Sequence, residues 1–407
     1  MGPPVTETPP HVIMVTNAVA PDKLGGLERY VRELSAGLVA AGASVTVLAK
    51  RTAAEQPDDE RGADGVRIRR FDPPRKADPL FAVRYPWDIV RGVRDRIARA
   101  VRDGGTRRVL LHGHFPVPMI EPALSRTPYV YTCHAPVYRE LLSERRGSYA
   151  LPAPFRSAAV AGLRRAERHV LRRAHAVVTL SAFVRSEVAL LDRGTGDRVV
   201  QIPGGLDTEW FRPDVDAPAR RVDHVAPVLF TARRLVERTG VDALVEAMPS
   251  VLSRVPDARL NIAGSGPLGE TLAQRISDLG LGSRVQLLGR ISEEELRERY
   301  RQADLAITPT TALEGFGLST AEALACGAIA VVTPVGANPE VVDGLSPALV
   351  ARSAAPTDIA AAIIGVLDDP DLDSLRDRAR DHVHPRWAWP AVVERHLDLY
   401  RRLPALQ

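Results

Sequence analysis

The segment Glu314-Gly315-Phe316-Gly317-Leu318-Ser319-Thr320-Ala321-Glu322-Ala323 sets two carboxylates eight positions apart, one in a glycine-bearing turn and one in the helix pattern that follows. A short apolar run, Leu305 to Ile307, leads into the turn. Glycines let a backbone come close to a ligand. The free N–H groups of a helix start favour a phosphate. Helical rise puts Glu322 about two turns from the loop that carries Glu314. Two readings stay open at this level. In one, Glu314 faces a sugar and Glu322 takes ribose hydroxyls. In the other, the helix has an acidic first turn and a satisfied capping loop.

Other residues could serve the same chemistry. Arg234, in Arg233-Arg234-Leu235, follows an apolar run, and a guanidinium can take two phosphate oxygens at once. The alternative is a solvated arginine at a strand end. His134 follows the apolar Tyr131-Thr132-Cys133, and His112 and His114 lie in Leu111-His112-Gly113-His114-Phe115. A histidine in a cleft can hydrogen-bond a ligand; it can equally cap or fill a core. Three histidines admit zinc in principle, but no carboxylate or cysteine spacing accompanies them, and no metal is expected.

Such residues need a scaffold that aims strand ends at one place. His11 to Thr16 is a continuous apolar run, as for a strand buried on both faces. A Pro/Gly loop, Ala20 to Gly26, leads to a helix with Leu27, Tyr30, Val31, Leu34 and Leu38 on one face, and Ala43 to Ala49 is a second strand. That is a βαβ unit, and the alternation continues to Ile202. Residues 212–226 are rich in Pro, Asp and Arg and read as a linker. A second alternation runs from Val228 to Leu367, and Trp389 to Leu403 forms a last amphipathic helix. The expected organisation is an N-terminal Rossmann-like domain over 11–211, the linker 212–226, a C-terminal Rossmann-like domain over 227–384, and a terminal helix over 385–407 that crosses back to the first domain. Ligands of open parallel sheets bind beyond the carboxyl ends of the strands, so two facing domains would share one cleft.

Composition narrows the classes. The chain has 407 residues, 26% of them charged, and a net charge of +4, which is no signature of nucleic-acid binding. Its aromatic fraction of 5% provides no stacking array. Cys133 and Cys326 are far apart and in apolar runs, which suits a reducing cytoplasm. Pro3 to Pro10 reads as a leader without the pattern of a signal peptide, and no apolar run approaches the ~18 residues of a membrane span. Two helix patterns carry arginine faces, Arg91 to Arg102 and Arg164 to Arg173. Such faces can touch anionic lipid; a solvated face is the favoured reading.

The motifs, taken together and in order, resemble family 4 of the glycosyltransferases. The Glu314 to Glu322 segment is similar to its E-x7-E signature, and Leu24-Gly25-Gly26-Leu27-Glu28 to its first-strand glycine loop. Leu180-Ser181-Ala182-Phe183-Val184, Ile202-Pro203-Gly204-Gly205-Leu206-Asp207 with Phe211-Arg212-Pro213, Ala263-Gly264-Ser265-Gly266-Pro267, Val285 to Gly289, and Trp389 with Tyr400 each resemble a family segment. The resemblance implies an α/β, GT-B fold and retaining, metal-independent transfer of a sugar from a nucleotide diphosphate, UDP favoured with GDP or dTDP open, to a small-molecule or envelope-precursor acceptor.

It also implies roles. Gly25, Gly26, Arg234, Arg238, Gly264, Gly266, Glu314, Gly315, Phe316, Gly317, Leu318, Ser319 and Glu322 would bind the donor, with the base near Arg290 and Ile291. His134, Glu314 and Arg234 would act in catalysis, and Glu28, His114 and His134 on the acceptor side. No cofactor beyond the co-substrate is implied. The chain departs from the family where a diphosphate-binding lysine is usual: Thr239 stands there, and Arg238 or Arg233 is expected to supply the missing charge. Gly204 also replaces a usual asparagine. A nucleotide-sugar epimerase on the same fold and a non-catalytic sugar-nucleotide-binding protein are the alternatives. No G-x-G-x-x-G follows the first strand, which argues against a dehydrogenase.

Overall fold

The computed structural model describes residues 9–23, 25–73, 81–143, 153–214 and 226–406. Residues 3–8 of the expected leader, Leu24 of the glycine loop and residues 215–225 of the expected linker lie outside them. The chain forms two compact units. One comprises Met1–Tyr138, Ser157–Gly205 and Trp389–Gln407; the other comprises Arg139–Arg156 and Leu206–Ala388.

The first unit opens with β1 (His11–Val15), α1 (Gly26–Ala40), β2 (Ser44–Lys50), β3 (Asp59–Arg61) and β4 (Arg67–Phe71). It continues through α2 (Phe81–Asp103), β5 (Val109–Gly113), α3 (Ile120–Ser125), β6 (Val130–Cys133), α4 (Val137–Ser143), which runs across the unit boundary, α5 (Ala153–Arg173), β7 (Ala176–Thr179), α6 (Ala182–Leu191) and β8 (Val199–Gln201). The strands order as β3-β4-β2-β1-β5-β6-β7-β8. Every pairing is parallel except that of β3 with β4. The interior strands β1 and β5 to β7 are buried along their whole length, which is why they read as unbroken apolar runs rather than as alternations. Ile13, Val15, Leu48, Phe71 and Leu111 join Ile89 and Val93 of α2 and Val170 and Leu171 of α5 in one core.

The second unit runs β9 (Val228–Ala232), α7 (Val241–Arg254), β10 (Arg259–Ala263), α8 (Gly269–Asp278), β11 (Val285–Gly289), α9 (Glu293–Gln302), β12 (Leu305–Thr308), α10 (Leu318–Ala325), β13 (Ile329–Val332), α11 (Asn338–Val342), α12 (Pro356–Leu367) and α13 (Leu372–Val383). Its sheet orders as β11-β10-β9-β12-β13, all parallel. The last helix, α14 (Trp389–Arg401), belongs to the first unit and packs on α1.

Each sheet starts in its middle and grows outward in both directions, so each has a switch point beside its first strand: β1 next to β5, and β9 next to β12. Two elements escape the apolar pattern. Asp59-Glu60-Arg61 contains no apolar residue, yet it forms the edge strand β3, because its carboxylates meet arginines of β4. Charge-rich α13 buries Leu372, Leu375, Ala379 and Val383, one narrow stripe under an otherwise polar surface.

Candidate functional site

In the second unit the chain leaves β9 at Ala232 and places Arg233 at the carboxyl end of the sheet. Its guanidinium donates to Ser319 Oγ at 2.9 Å, to Thr310 Oγ1 at 3.0 Å and to Glu314 Oε2 at 2.6 Å. The two charged side chains are only 10% and 15% exposed. Thr310 and Glu314 follow β12, and Ser319 opens α10, so one arginine ties the ends of neighbouring strands to a helix start. Burial pushes the Glu314 carboxyl up, but the charge and hydrogen bond of Arg233, the charge of Arg238 and the Gly317 N–H outweigh it and hold it below its ordinary value. Glu314 is therefore a carboxylate at neutral pH.

Arg234, the expected diphosphate contact, is exposed, and its carbonyl accepts the Thr239 hydroxyl at 2.7 Å. The residue the geometry joins to Glu314 is Arg233. Thr239 is buried, with its hydroxyl shared between the carbonyls of Arg234 and Val236, each at 2.7 Å. That hydroxyl shapes the turn after β9 and has no hydrogen left for a ligand. Arg238 lies near enough for its charge to act on Glu314. Its Nη1 donates to the Leu313 carbonyl at 3.3 Å, and its Nη2 stands 3.6 Å from Glu140.

Glu322 is buried in the second turn of α10 and raises the Cys326 thiol, which burial first pushes up, to about 12. Phe316 is buried and packs edge-on to Trp387 at 5.7 Å. Gly315, Gly317 and Leu318 complete the turn into α10, and Gly317 caps it with φ 91. Gly264 and Gly266 serve backbone packing. A Cβ on either would run into the carbonyl of Arg233 or of Leu235, and Leu235 N–H in turn bonds the Ser265 carbonyl at 3.1 Å. Arg290 and Ile291 follow the edge strand β11; Arg290 is exposed and Ile291 half-buried.

In the first unit, the ends of β5 and β6 carry His114 and His134. Their rings meet through Nδ1 of His114 and Nε2 of His134 at 3.3 Å. Behind them His112 spends both nitrogens, on Tyr400 Oη and on Thr132 Oγ1, each at 2.7 Å, which leaves none for a metal. Tyr30 of α1 packs edge-on to His134 at 4.8 Å and bonds His396 of α14 at 3.2 Å. Burial lowers all four histidines: His112 and His114 well below 6.5, His134 to about 3 and His396 to about 4. They are neutral near pH 7. At the start of α1, Glu28 is buried, accepts from Lys23 Nζ at 2.6 Å, and fills the space a Gly25 Cβ would need. Gly26 has open space around it.

The residues brought together are thus Arg233, Thr310, Glu314 and Ser319 in one unit, and His112, His114 and His134 with Tyr30, His396 and Tyr400 in the other. Thr310, Tyr30 and His396 carry no sequence signal for this. They arrive through tertiary packing alone.

Two Rossmann-like parallel sheets, each with polar residues at the carboxyl end beside its first strand, define the GT-B class of sugar-transferring enzymes. Comparison with known proteins gives the family. Residues 24–210 match the model for glycosyltransferase family 4, and residues 216–382 match that for group 1 glycosyl transferases. The chain is 28% identical to a GDP-mannose-dependent alpha-(1-6)-phosphatidylinositol monomannoside mannosyltransferase of Mycolicibacterium smegmatis over 397 residues, 93% of this chain and 95% of that one. It is 30% identical to a D-inositol 3-phosphate glycosyltransferase of Catenulispora acidiphila over 397 residues, 93% of this chain and 90% of the other. Among solved structures, a sucrose-phosphate synthase from Thermosynechococcus elongatus matches with a TM-score of 0.75 at 23% identity, covering 97% of this chain and 98% of that one, and so speaks for the fold alone. The chain belongs to glycosyltransferase family 4, and it is a glycosyltransferase that uses a nucleotide sugar. Among the described residues no helix is long and apolar enough to cross a membrane.

Proposed function

We propose that the enzyme transfers a hexose with retention of anomeric configuration, without a divalent metal, from a nucleotide diphosphate to a hydroxyl acceptor. The observation that carries this reading is the buried Arg233 with Glu314, Thr310 and Ser319 at the switch point of the second sheet. A guanidinium held there by neutral and anionic acceptors is preorganised for the charge that grows on a departing diphosphate. Arg238 adds the second positive charge that a lysine at position 239 would have given. In this reading Glu314 orients the sugar hydroxyls, Glu322 takes the ribose, and the N–H groups at the start of α10 face the phosphates. The base rests near Arg290 and Ile291. Gly25 and Gly26 add backbone donors to the diphosphate, and Glu28, His114 and His134 serve the acceptor and the reacting sugar. His134 is neutral, so it acts as a hydrogen-bond partner rather than as a cation.

The donor is the finer point. Family frequency favours UDP; the Mycolicibacterium relative carries GDP-mannose in its name, which supports trying guanosine donors beside uridine ones. The names of both relatives support an inositol-bearing acceptor. The test incubates the purified enzyme, with EDTA present, with UDP-glucose, UDP-N-acetylglucosamine, GDP-mannose and dTDP-glucose, each against inositol phosphate and against phosphatidylinositol, and reads the anomeric proton of the product. An α-linked product from an α-linked donor in EDTA is expected. An inverted product, or transfer only after a divalent metal is restored, would overturn the mechanism. A free epimerised sugar would make the enzyme an epimerase.

A further inference from the structure

Strand β4 reads Arg67-Ile68-Arg69-Arg70-Phe71, and its three arginines have different fates. Arg67 and Arg69 pair with Asp59 and Asp103 at the edge of the sheet. Arg70 turns inward and is 2% exposed. Its Nε donates to Asp22 Oδ2 at 2.9 Å, its Nη2 to Asp22 Oδ1 at 3.0 Å and to Glu60 Oε1 at 2.5 Å, and its Nη1 to the Pro57 carbonyl at 3.0 Å. The Asp22 side chain is itself only 8% exposed. A buried arginine is expensive unless its hydrogen-bonding groups are met, and a fork-to-fork pair with a carboxylate fixes orientation as well as distance.

Asp22 belongs to the loop between β1 and α1, three residues ahead of Gly25. Among the described residues that loop has few other side-chain anchors. Thr52 Oγ1 reaches the Asp22 carbonyl at 3.4 Å, and on the far side Lys23 grips Glu28, whose other carboxylate oxygen abuts Gly25. The loop is thus held at one end by β4 and at the other by the first turn of α1.

We propose that Arg70 is a positioning residue. By its two-pronged hold on Asp22 it fixes the β1–α1 loop, and so sets where the N–H groups of Gly25 and Gly26 stand when a donor diphosphate binds. The part that concerns the donor rests on the function proposed above; the hold on the loop does not. Lysine cannot replace this arginine, because an ammonium meets Asp22 as a point charge and leaves the orientation of the loop free.

The test compares Arg70→Lys, Asp22→Asn and the control Arg67→Met in the full-length enzyme, by amide hydrogen exchange and by steady-state kinetics. Arg70→Lys and Asp22→Asn should speed exchange over residues 16–28 at least about tenfold while the sheet keeps its protection, because charge-assisted bonds to the loop are lost. Both should lower kcat by about tenfold or more, with a small change in KM for the acceptor, since a misplaced donor group costs turnover steeply. Arg67→Met should alter neither. Asp22→Asn leaves Arg70 its bonds to Glu60 and Pro57, so it reports on the loop even if Arg70→Lys folds poorly. Unchanged loop exchange in both variants would overturn the proposal, and so would loss of protection spread evenly over the first unit. If the wild-type enzyme transfers no sugar from any donor, the proposed function fails, and the exchange comparison still decides whether Arg70 holds the loop.

Discussion

Replacing Arg233 by methionine keeps the length of the side chain and removes its charge. Glu314 would then be a carboxylate about as buried as before, 15% exposed, with its 2.6 Å partner gone. Breaking a buried pair on one side costs about 3–5 kcal/mol, mainly as an uncompensated buried charge. The cost here falls toward about 2–3 kcal/mol, because Arg238 still acts on Glu314 and part of the carboxylate touches water. For a unit of this size that lowers the melting temperature by about 4–12 °C.

The loss has a pH signature. In the wild type the Glu314 pKa is depressed, so its contribution is complete above the unfolded value of about 4.3 and fades only as pH falls through the lower folded value. In Arg233→Met the burial that pushes the carboxyl up is no longer outweighed, so the folded pKa rises. The variant then regains stability as pH drops through that raised value, where the carboxyl takes a proton. Differential scanning fluorimetry at pH 8.0 and pH 5.0 reads this directly. The gap in melting temperature between wild type and variant should be widest at pH 8.0 and narrow at pH 5.0. Glu314→Gln should remove most of the gap, and the double variant should lose clearly less than the two single losses added together. A gap that stays constant with pH, or two fully additive losses, would refute the claim that Arg233 and Glu314 form the buried charge pair of this site.

Glu322→Ala should weaken nucleoside diphosphate binding in isothermal titration, whereas Glu314→Ala should act mainly on turnover; equal diphosphate affinity in wild type and Glu322→Ala would count against the ribose role. Thr239→Val should cost about 1–2 kcal/mol, seen as a fall in melting temperature, because the turn loses a buried hydroxyl that serves two carbonyls. Arg238→Met should reduce diphosphate affinity more than Thr239→Val does; the reverse order would show that the charge missing at position 239 is not supplied by Arg238. The first unit should be acid-labile. Among its described residues, His11, His112, His114, His134 and His396 all have folded pKa values lowered from 6.5, so the unfolded chain takes up protons first, and stability is present above about pH 6.5 and falls below it. The slope should be up to about 1.4 kcal/mol per pH unit for each histidine. Hydrogen exchange at pH 7.5 and pH 5.5 should show β5, β6 and α14 losing protection ahead of the second unit, and His134→Asn should flatten that dependence.

The sheets were readable because their interior strands are buried on both faces and so appear as short apolar runs between helical patterns. That same burial hid the more informative detail. Around Phe230, residues 229 to 231 are all buried, so there is no alternation to show which of Arg233 and Arg234 would turn into the site. The turn after β9, pinned by Thr239, sets Arg233 against Glu314 and leaves Arg234 exposed. The Glu314 to Glu322 segment was legible for the opposite reason. Its glycines, its helix start and its two carboxylates are neighbours in sequence, so their geometry follows from local rules.

The histidine cluster shows where local rules stop. His112, His114 and His134 could be seen at strand ends, but Tyr30, His396 and Tyr400 come from α1 and α14, helices separated by nearly the whole chain and brought together by packing. The effect is chemical as well as structural: Tyr30 and His114 pack against His134, and burial holds it neutral, which turns a residue that could have been an acid or a base into a hydrogen-bond partner. A histidine read from its flanking residues alone has a pKa near 6.5 and every role open. The same histidine beside Tyr30 and His114 has one protonation state over the physiological range. The identity of the residue was set by its place in the strand, and its chemistry by residues that no local pattern connects to it.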